Sequence, residues 1–403
     1  MYKVKVLGVL MAPVLLSACM TDEAASKHDQ VVHRDSLGIS IVATTEPDWL
    51  HDSPWRIETE PAISIGAIDG DGRYLFHDIV SAHRLSNGRV VVADRRSGEL
   101  RYYSEDGTVT QISGGLGEGP GLFLLLGYVA VVGRDTVVAM DADRPRLTFI
   151  DGDGELLDVV DILTSDGVPT LPVSVSRAGA VLSLGIVPFD PVDEQHEKHS
   201  VRLYLHSSAT QPGHELLRVP WVELWSVRSG AGGRESIPFA PRGVWASSLA
   251  GFVTGASDTT EILLWSGTGQ LQRVVRWGGL LTPVGDVERE QYRDHRLASI
   301  SSENTRRSTQ RALGELPWPT HMPAYQSLTV DDLGNLWVEL YRPSWDQESR
   351  WTVIDSAGVW RGDVLLPGRF RPTHIGEDFL LGVWRDDDDV EFVHEYGLTR
   401  SAR

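Results

Sequence analysis

One short motif recurs along this chain and limits what it can fold into. The motif is a strand, a tight turn carrying glycine, and a second strand rich in β-branched and aromatic residues. Arg84-Leu85-Ser86-Asn87-Gly88-Arg89-Val90-Val91-Val92-Ala93-Asp94 follows the same plan as Val330-Asp331-Asp332-Leu333-Gly334-Asn335-Leu336-Trp337-Val338-Glu339. Glycine occupies the turn position that demands a positive φ, and apolar runs flank it. A second hairpin follows each copy: 100–103 leads into Glu105-Asp106-Gly107, and 147–150 into Asp151-Gly152-Asp153-Gly154. Later copies run from 262–265 into Gly267-Thr268-Gly269 and from 351–354 into Asp355-Ser356-Ala357-Gly358. Gly107 and Gly154 lie 47 positions apart, within the range of propeller-blade repeats. Six units result, at 78–123, 124–168, 169–220, 243–280, 324–368 and 369–396, and the last is short of a fourth strand. Strand candidates at 39–43 and 57–65 precede the first unit with nothing local to pair with. If one of them completes the last unit, the ring closes and loses the open edges that invite aggregation. The expectation is an all-β, six-bladed β-propeller over 38–403, with an N-terminal strand completing the last blade.

Two insertions interrupt the repeat. Residues 283–313 are polar and lack strand signals, which predicts a helix or helical pair with Asp286 as its N-cap. Val287, Gln291, Asp294, Leu297, Ala298 and Ser301 would share one weakly apolar face. Such an insert is either a lid over the channel or a solvated excursion. Residues 221–241 read as an exposed hairpin around Ser229-Gly230-Ala231-Gly232-Gly233.

The N-terminus has the layout of a secretory signal: Lys3 and Lys5, an apolar run from 6 to 16 broken only by Pro13, then Ser17, Ala18 and the sole cysteine, Cys19. That run is too short for a hydrocarbon core that needs about 20 residues. Leu16-Ser17-Ala18-Cys19 resembles the bacterial lipobox, which implies removal of 1–18, lipid attachment at Cys19 and a flexible tether over 19–37. Met20 after the cysteine resembles the outer-membrane sorting pattern. The implied address is a bacterial cell envelope, lipid-anchored, at the outer membrane rather than the inner.

Gly114-Gly115-Leu116-Gly117-Glu118-Gly119-Pro120-Gly121-Leu122-Phe123 is similar to the glycine-proline-glycine-x-phenylalanine linker of NHL-type repeats. Together with 86–94, 331–339 and 316–325, it makes the chain resemble the six-bladed β-propeller lipoproteins of bacterial envelopes over roughly residues 38–400. The resemblance implies a fold and an address, and no particular chemistry.

Charge and motif spacing exclude several activities. Against 56 acids there are 37 basic residues, and the formal charge is −19, which excludes a nucleic-acid partner that needs a basic face. A single cysteine excludes a disulfide framework and a cysteine-rich zinc site. The DGDG strings at 69–72 and 151–154 are turns, lacking the further ligands of a calcium loop. The acidic run at 386–389 reads as a solvated hairpin tip. His196-Glu197-Lys198-His199 has one residue too few between glutamate and histidine for a zincin helix and reads as a loop. No G-x-S-x-G elbow or Walker loop is present.

Two enzyme types built on propellers can be compared. Lactonases of that type hold a divalent ion on axial asparagines, but Asn87 and Asn335 lie in turns and Asn304 in the insert. Lyases of that type hold zinc on axial histidines. His83 lies five residues before Gly88 and His374 four before Asp378, so the two are expected on opposite faces and no shared metal or cofactor follows. Arg84, read in the register of His374, is with it a candidate for lining the channel. Of 13 tryptophans, 11 lie between Trp221 and Trp384. Trp265 and Trp351 fall at packing positions, whereas Trp225, Trp318 and Trp345 lie in connectors and are free to meet a ligand. The expected function is a membrane-anchored module binding a protein or small molecule. The competing class is a metal-dependent propeller enzyme, a lactonase-like hydrolase or a lyase, with its site at the channel mouth.

Overall fold

A computed structural model describes residues 31–49, 55–186, 190–192, 194–229, 233–279 and 281–400. Cys19, the signal segment and most of the expected tether lie outside the described residues. The described chain folds into six sheets, each built on a sequential antiparallel meander. Their strands span 79–114, 126–161, 171–236, 243–277, 325–366 and 370–400, close to the six units of the repeat. The first strands of the sheets are Ile79–Arg84, Leu126–Val132, Leu171–Val175, Gly243–Ser247, Tyr325–Val330 and Phe370–Ile375. Each touches the next, and the last touches the first, so they enclose a common channel in a β-propeller-like arrangement.

Burial on both faces explains why the second strands are continuously apolar. In Val90–Asp94 every residue is buried. Val91 and Ala93 enter the core shared with the second sheet, while Val90 and Val92 enter the core shared with the sixth. Trp337 likewise packs toward the sixth sheet, and Leu336 and Val338 toward the fourth. Successive side chains of a strand alternate in direction, so a sheet sandwiched between two others needs apolar residues at both parities.

The last sheet is completed from the N-terminus. Strand Glu391–Arg400 pairs antiparallel with Ile63–Ile65 through its first half and with Trp55–Ile57 through its second. The expected 57–65 strand is thus two short strands with a break between them. Ile39–Thr44, expected to lack a local partner, forms a hairpin with Val31–Ser36 and adds in parallel to Leu271–Trp277 of the fourth sheet. Leu37 (φ 55°) and Gly38 (φ 83°) make its turn. The hairpin also corrects the expected tether, since residues 31–36 are ordered strand although their side chains are mostly exposed. Backbone pairing, not an apolar face, holds them.

The insert is a pair of helices, α1 (Asp286–Ala298) and α2 (Glu303–Glu315). Gly285, not Asp286, is the first N-cap: the Glu288 carboxylate accepts its N–H at 2.8 Å. Ser302 caps α2. The apolar face differs from the expected one, because Val287 is 63% exposed while Tyr292 and Leu297 pack inward. At the far end, the Glu315 carboxylate accepts the N–H groups of Arg228 and Ser229, both at 2.8 Å. The expected hairpin is also present, with His214–Val227 paired to Gly233–Ser236. His196-Glu197-Lys198-His199 lies on strand His196–His206 rather than a loop. Strand alternation sends His196 and Lys198 to Glu223 on one side, and Glu197 with His199 to the other.

Candidate functional site

The channel holds a cavity of about 420 Å³ lined by all six first strands and by the turns that follow them. Its rim repeats one sequence position. Ser86, Arg177 and Asp332 each stand two residues before a turn glycine (Gly88, Gly179, Gly334), and all three line the cavity. Aliphatic and aromatic groups, among them Val80, Val173, Leu328, Trp245 and Phe379, supply the remaining wall.

Arg84 and His374 meet here. The Arg84 backbone N–H donates to His374 Nδ1 at 3.1 Å, so Nε2 carries the ring proton and donates to Asp332 Oδ2 at 3.1 Å. Asp332 also takes the Arg177 guanidinium at 2.9 Å. Burial alone would raise the Asp332 carboxyl, but the His374 hydrogen bond and the Arg177 guanidinium bring it below its ordinary value. The Arg84 side chain pairs with Glu395 at 3.0 Å and lies 4.9 Å from the Phe379 ring centre. Burial pushes the Glu395 carboxyl up.

His83 corrects the sequence reading. Its ring centre is 5.6 Å from that of His374, and both line the same cavity. The strand pairing gives the reason: Arg84 opposes Val90 across five intervening residues, but Ile375 opposes Leu380 across only four. The last sheet's turn is one residue shorter, so counting back from the turn displaced the alignment. His83, not Arg84, holds the register of His374. His83 Nε2 donates to the Val129 carbonyl at 2.8 Å, and burial, reinforced by His374, lowers its pKa to about 3. It is a neutral imidazole at physiological pH.

Both nitrogens of His374 are engaged, which leaves no lone pair to take a substrate proton in this arrangement. Among the described residues, no three His, Cys, Asp or Glu side chains converge as a metal site would need. What the lining displays is charge. Four arginines line the cavity (Arg84, Arg134, Arg177, Arg371) against two aspartates, Asp331 and Asp332. Asp331 is consumed internally, accepting from Asn335, Trp337 Nε1 and Arg400 at 2.7–3.0 Å.

The three candidate tryptophans are elsewhere. Trp225 packs with Val227, Leu313 and Leu316 beneath the insert. Trp318 and Trp345 join Phe239, Tyr292 and Tyr341 in an aromatic cluster just before the first strands of the fourth and fifth sheets. Arg293 stacks on Trp318 at 5.6 Å. None of the three lines the channel cavity, and neither does any residue of α1 or α2. The insert therefore does not form a wall of the cavity, and its apolar contacts set it apart from a bare excursion. Residues the sequence did not single out, Arg371, Arg177, Arg134 and Asp332, complete the lining. An arginine inside the otherwise buried run Phe370-Arg371-Pro372 was the one visible signal.

The fold and its channel define a β-propeller-like protein with a charged axial cavity. No protein-family model matches the chain, and no curated protein matches it. Among solved structures, the chain resembles a member of the DUF4221 family from Bacteroides vulgatus, with TM-score 0.51 and 10% identity over 86% of this chain and 99% of that one. A Bacteroides fragilis protein named as an exported one gives TM-score 0.48 and 10% identity, covering 90% and 100%. Virginiamycin B lyase from Staphylococcus aureus gives TM-score 0.38 and 9% identity, covering 86% and 99%. At these identities the likeness bears on the fold alone. No helix among the described residues is long and apolar enough to cross a membrane.

Proposed function

We propose that this chain is a six-bladed β-propeller, held at a bacterial envelope membrane by a lipid on Cys19, whose axial cavity binds a small molecule. The observation that carries this reading is the cavity itself. It is about 420 Å³, joins apolar wall to a few charged groups, and draws its lining from every sheet of the ring. The six mutually touching first strands support the blade count. The lipobox-like string supports the anchor, and the NHL-like linker at 114–123 supports the kinship with envelope propellers.

Leu249 lies at the rim, 40% exposed and lining the cavity, so Leu249→Trp narrows the mouth without touching a buried strand. A mixed small-molecule library should contain compounds that raise the melting temperature of the natural protein and leave Leu249→Trp unmoved. Compounds that shift both proteins equally would sink the channel as the binding site. Cys19→Ser should leave the protein unprocessed or soluble. Unchanged membrane partition of that variant would sink the anchor.

A further inference from the structure

Resting on the cavity reading above, we infer that the ligand carries an anionic group, carboxylate or phosphate, which docks on the Arg371 guanidinium in the bore of the channel. Arg371 lies on Phe370–Ile375 between two buried neighbours, Phe370 and Pro372, and lines the cavity. Its side chain is exposed within the channel space. Its Nη2 donates to the Ile79 carbonyl at 2.8 Å and its Nη1 to the Val80 carbonyl at 3.4 Å. Those bonds use two of five N–H donors, and no carboxylate stands within ion-pair distance among the described residues. Burial pushes the group down from its ordinary value, although guanidinium does not lose its proton at physiological pH.

A guanidinium in such a position, with donors left over, is available to an anionic partner. The carboxylates nearest to it, Glu391 and Asp78, act on it only from beyond ion-pair distance, and these and the cavity's own aspartates each have a partner elsewhere. Asp332 is held by His374 and Arg177, Asp331 by Arg400, and Glu391 by Arg385 at 2.6 Å. Arg134 lines the same cavity from an exposed turn and also forms no ion pair among the described residues. In a chain of net charge −19, the axis is therefore a local reversal of sign. Planar bidentate donors match carboxylate and phosphate geometry, and the apolar wall around Val80, Val173 and Trp245 accommodates a hydrocarbon body beside the charged head.

The test uses three compounds of similar skeleton: phenylacetate, phenyl phosphate and the neutral phenylacetamide, titrated calorimetrically into the full-length protein. At least one anion should bind, phenylacetamide should bind at least tenfold more weakly, and raising salt should weaken only the anion. The stronger anion identifies the head group. Arg371→Gln should lower that affinity at least tenfold, and Arg371→Lys should restore part of it. Equal binding of phenylacetate and phenylacetamide overturns the inference, as does an Arg371→Gln protein that binds both as the natural one does. Because the three-compound comparison needs no variant, a misfolded Arg371→Gln leaves it decisive. Binding that ignores charge but vanishes in Leu249→Trp refutes the anion alone, whereas binding that survives Leu249→Trp refutes the channel reading as well.

Discussion

The two ends of the channel are built from opposite materials. Where the first strands run into their turns, the lining is Arg84, Arg177, His374 and Asp332, each held by hydrogen bonds and ion pairs. Where the first strands of the fourth and fifth sheets begin, Phe239, Met322 and Val284 are buried under Tyr292, Trp318 and Trp345. Aromatic side chains in connectors look free in a sequence, but here an inserted helical pair consumes them as packing. Charged side chains at turn tips look like ordinary solvated turns, yet the ring gathers them around one axis. The contrast separates a stabilising end from the end proposed here as the recognising one.

Removing 287–312 strikes the stabilising end hardest. It deletes Tyr292 and Leu297 and uncovers Val227 and Phe239. We expect a loss of about 4 kcal/mol, roughly two large side chains at about 2 kcal/mol each. Urea unfolding should remain a single transition, because no sheet strand is removed, and phenylacetate affinity should be unchanged. Loss of cooperativity would mean that the insert belongs to the core of the ring.

Lowering the pH comes next, and it acts on the ring through buried histidines. His83 is depressed to about 3 and His394 to about 4, both by burial. An unfolded histidine binds its proton near pH 6.5, while these stay neutral until much lower pH. Unfolding therefore takes up protons below about 6.5, and stability present at neutral pH falls as the pH drops toward the folded values. At pH 5 each histidine accounts for about 2 kcal/mol. Urea midpoints between pH 7 and 5 check this, and His83→Asn should flatten the slope, while the 287–312 deletion should not.

The smallest effect is at the recognising end. Asp332→Asn keeps the shape but removes the charge that Arg177 and His374 share, for about 1 kcal/mol of stability. It frees Arg177, so phenylacetate should bind two- to threefold more tightly (roughly 0.5 kcal/mol). Weaker binding would show that Asp332 positions the ligand instead of opposing it.

Much of the fold was legible because each sheet repeats the same local chemistry. Gly88, Gly107, Gly154, Gly269, Gly334 and Gly358 all adopt the positive φ that the turn strings demanded. The apolar runs between them had the composition of doubly covered strands. The candidate site was less legible, for reasons of register. A one-residue difference between the turns at 85–89 and 376–379 makes His83 rather than Arg84 the counterpart of His374, and turn-length differences of that size are invisible without the pairing. Arg84 and His374 were found, but His83 was assigned to the wrong face. Asp332 and Arg177 were hidden because their meaning depends on residues 155 positions apart becoming neighbours. The packing of Trp225, Trp318 and Trp345 was not legible, because nothing local signals that the helical insert packs against them.

The two-part seat on Glu391–Arg400 has a consequence for how the molecule comes into being. Ile57 finds its partner at Leu398, 341 positions later, and Arg400 then clamps Asp331 of the neighbouring sheet. A chain made amino end first must carry the strands at 55–57 and 63–65 unmatched until the final residues emerge. Premature locking of the ring is thereby avoided until the last strand is made. The same arrangement acts as an inspection of completeness: a product cut short by ten residues has every other sheet and still cannot shut.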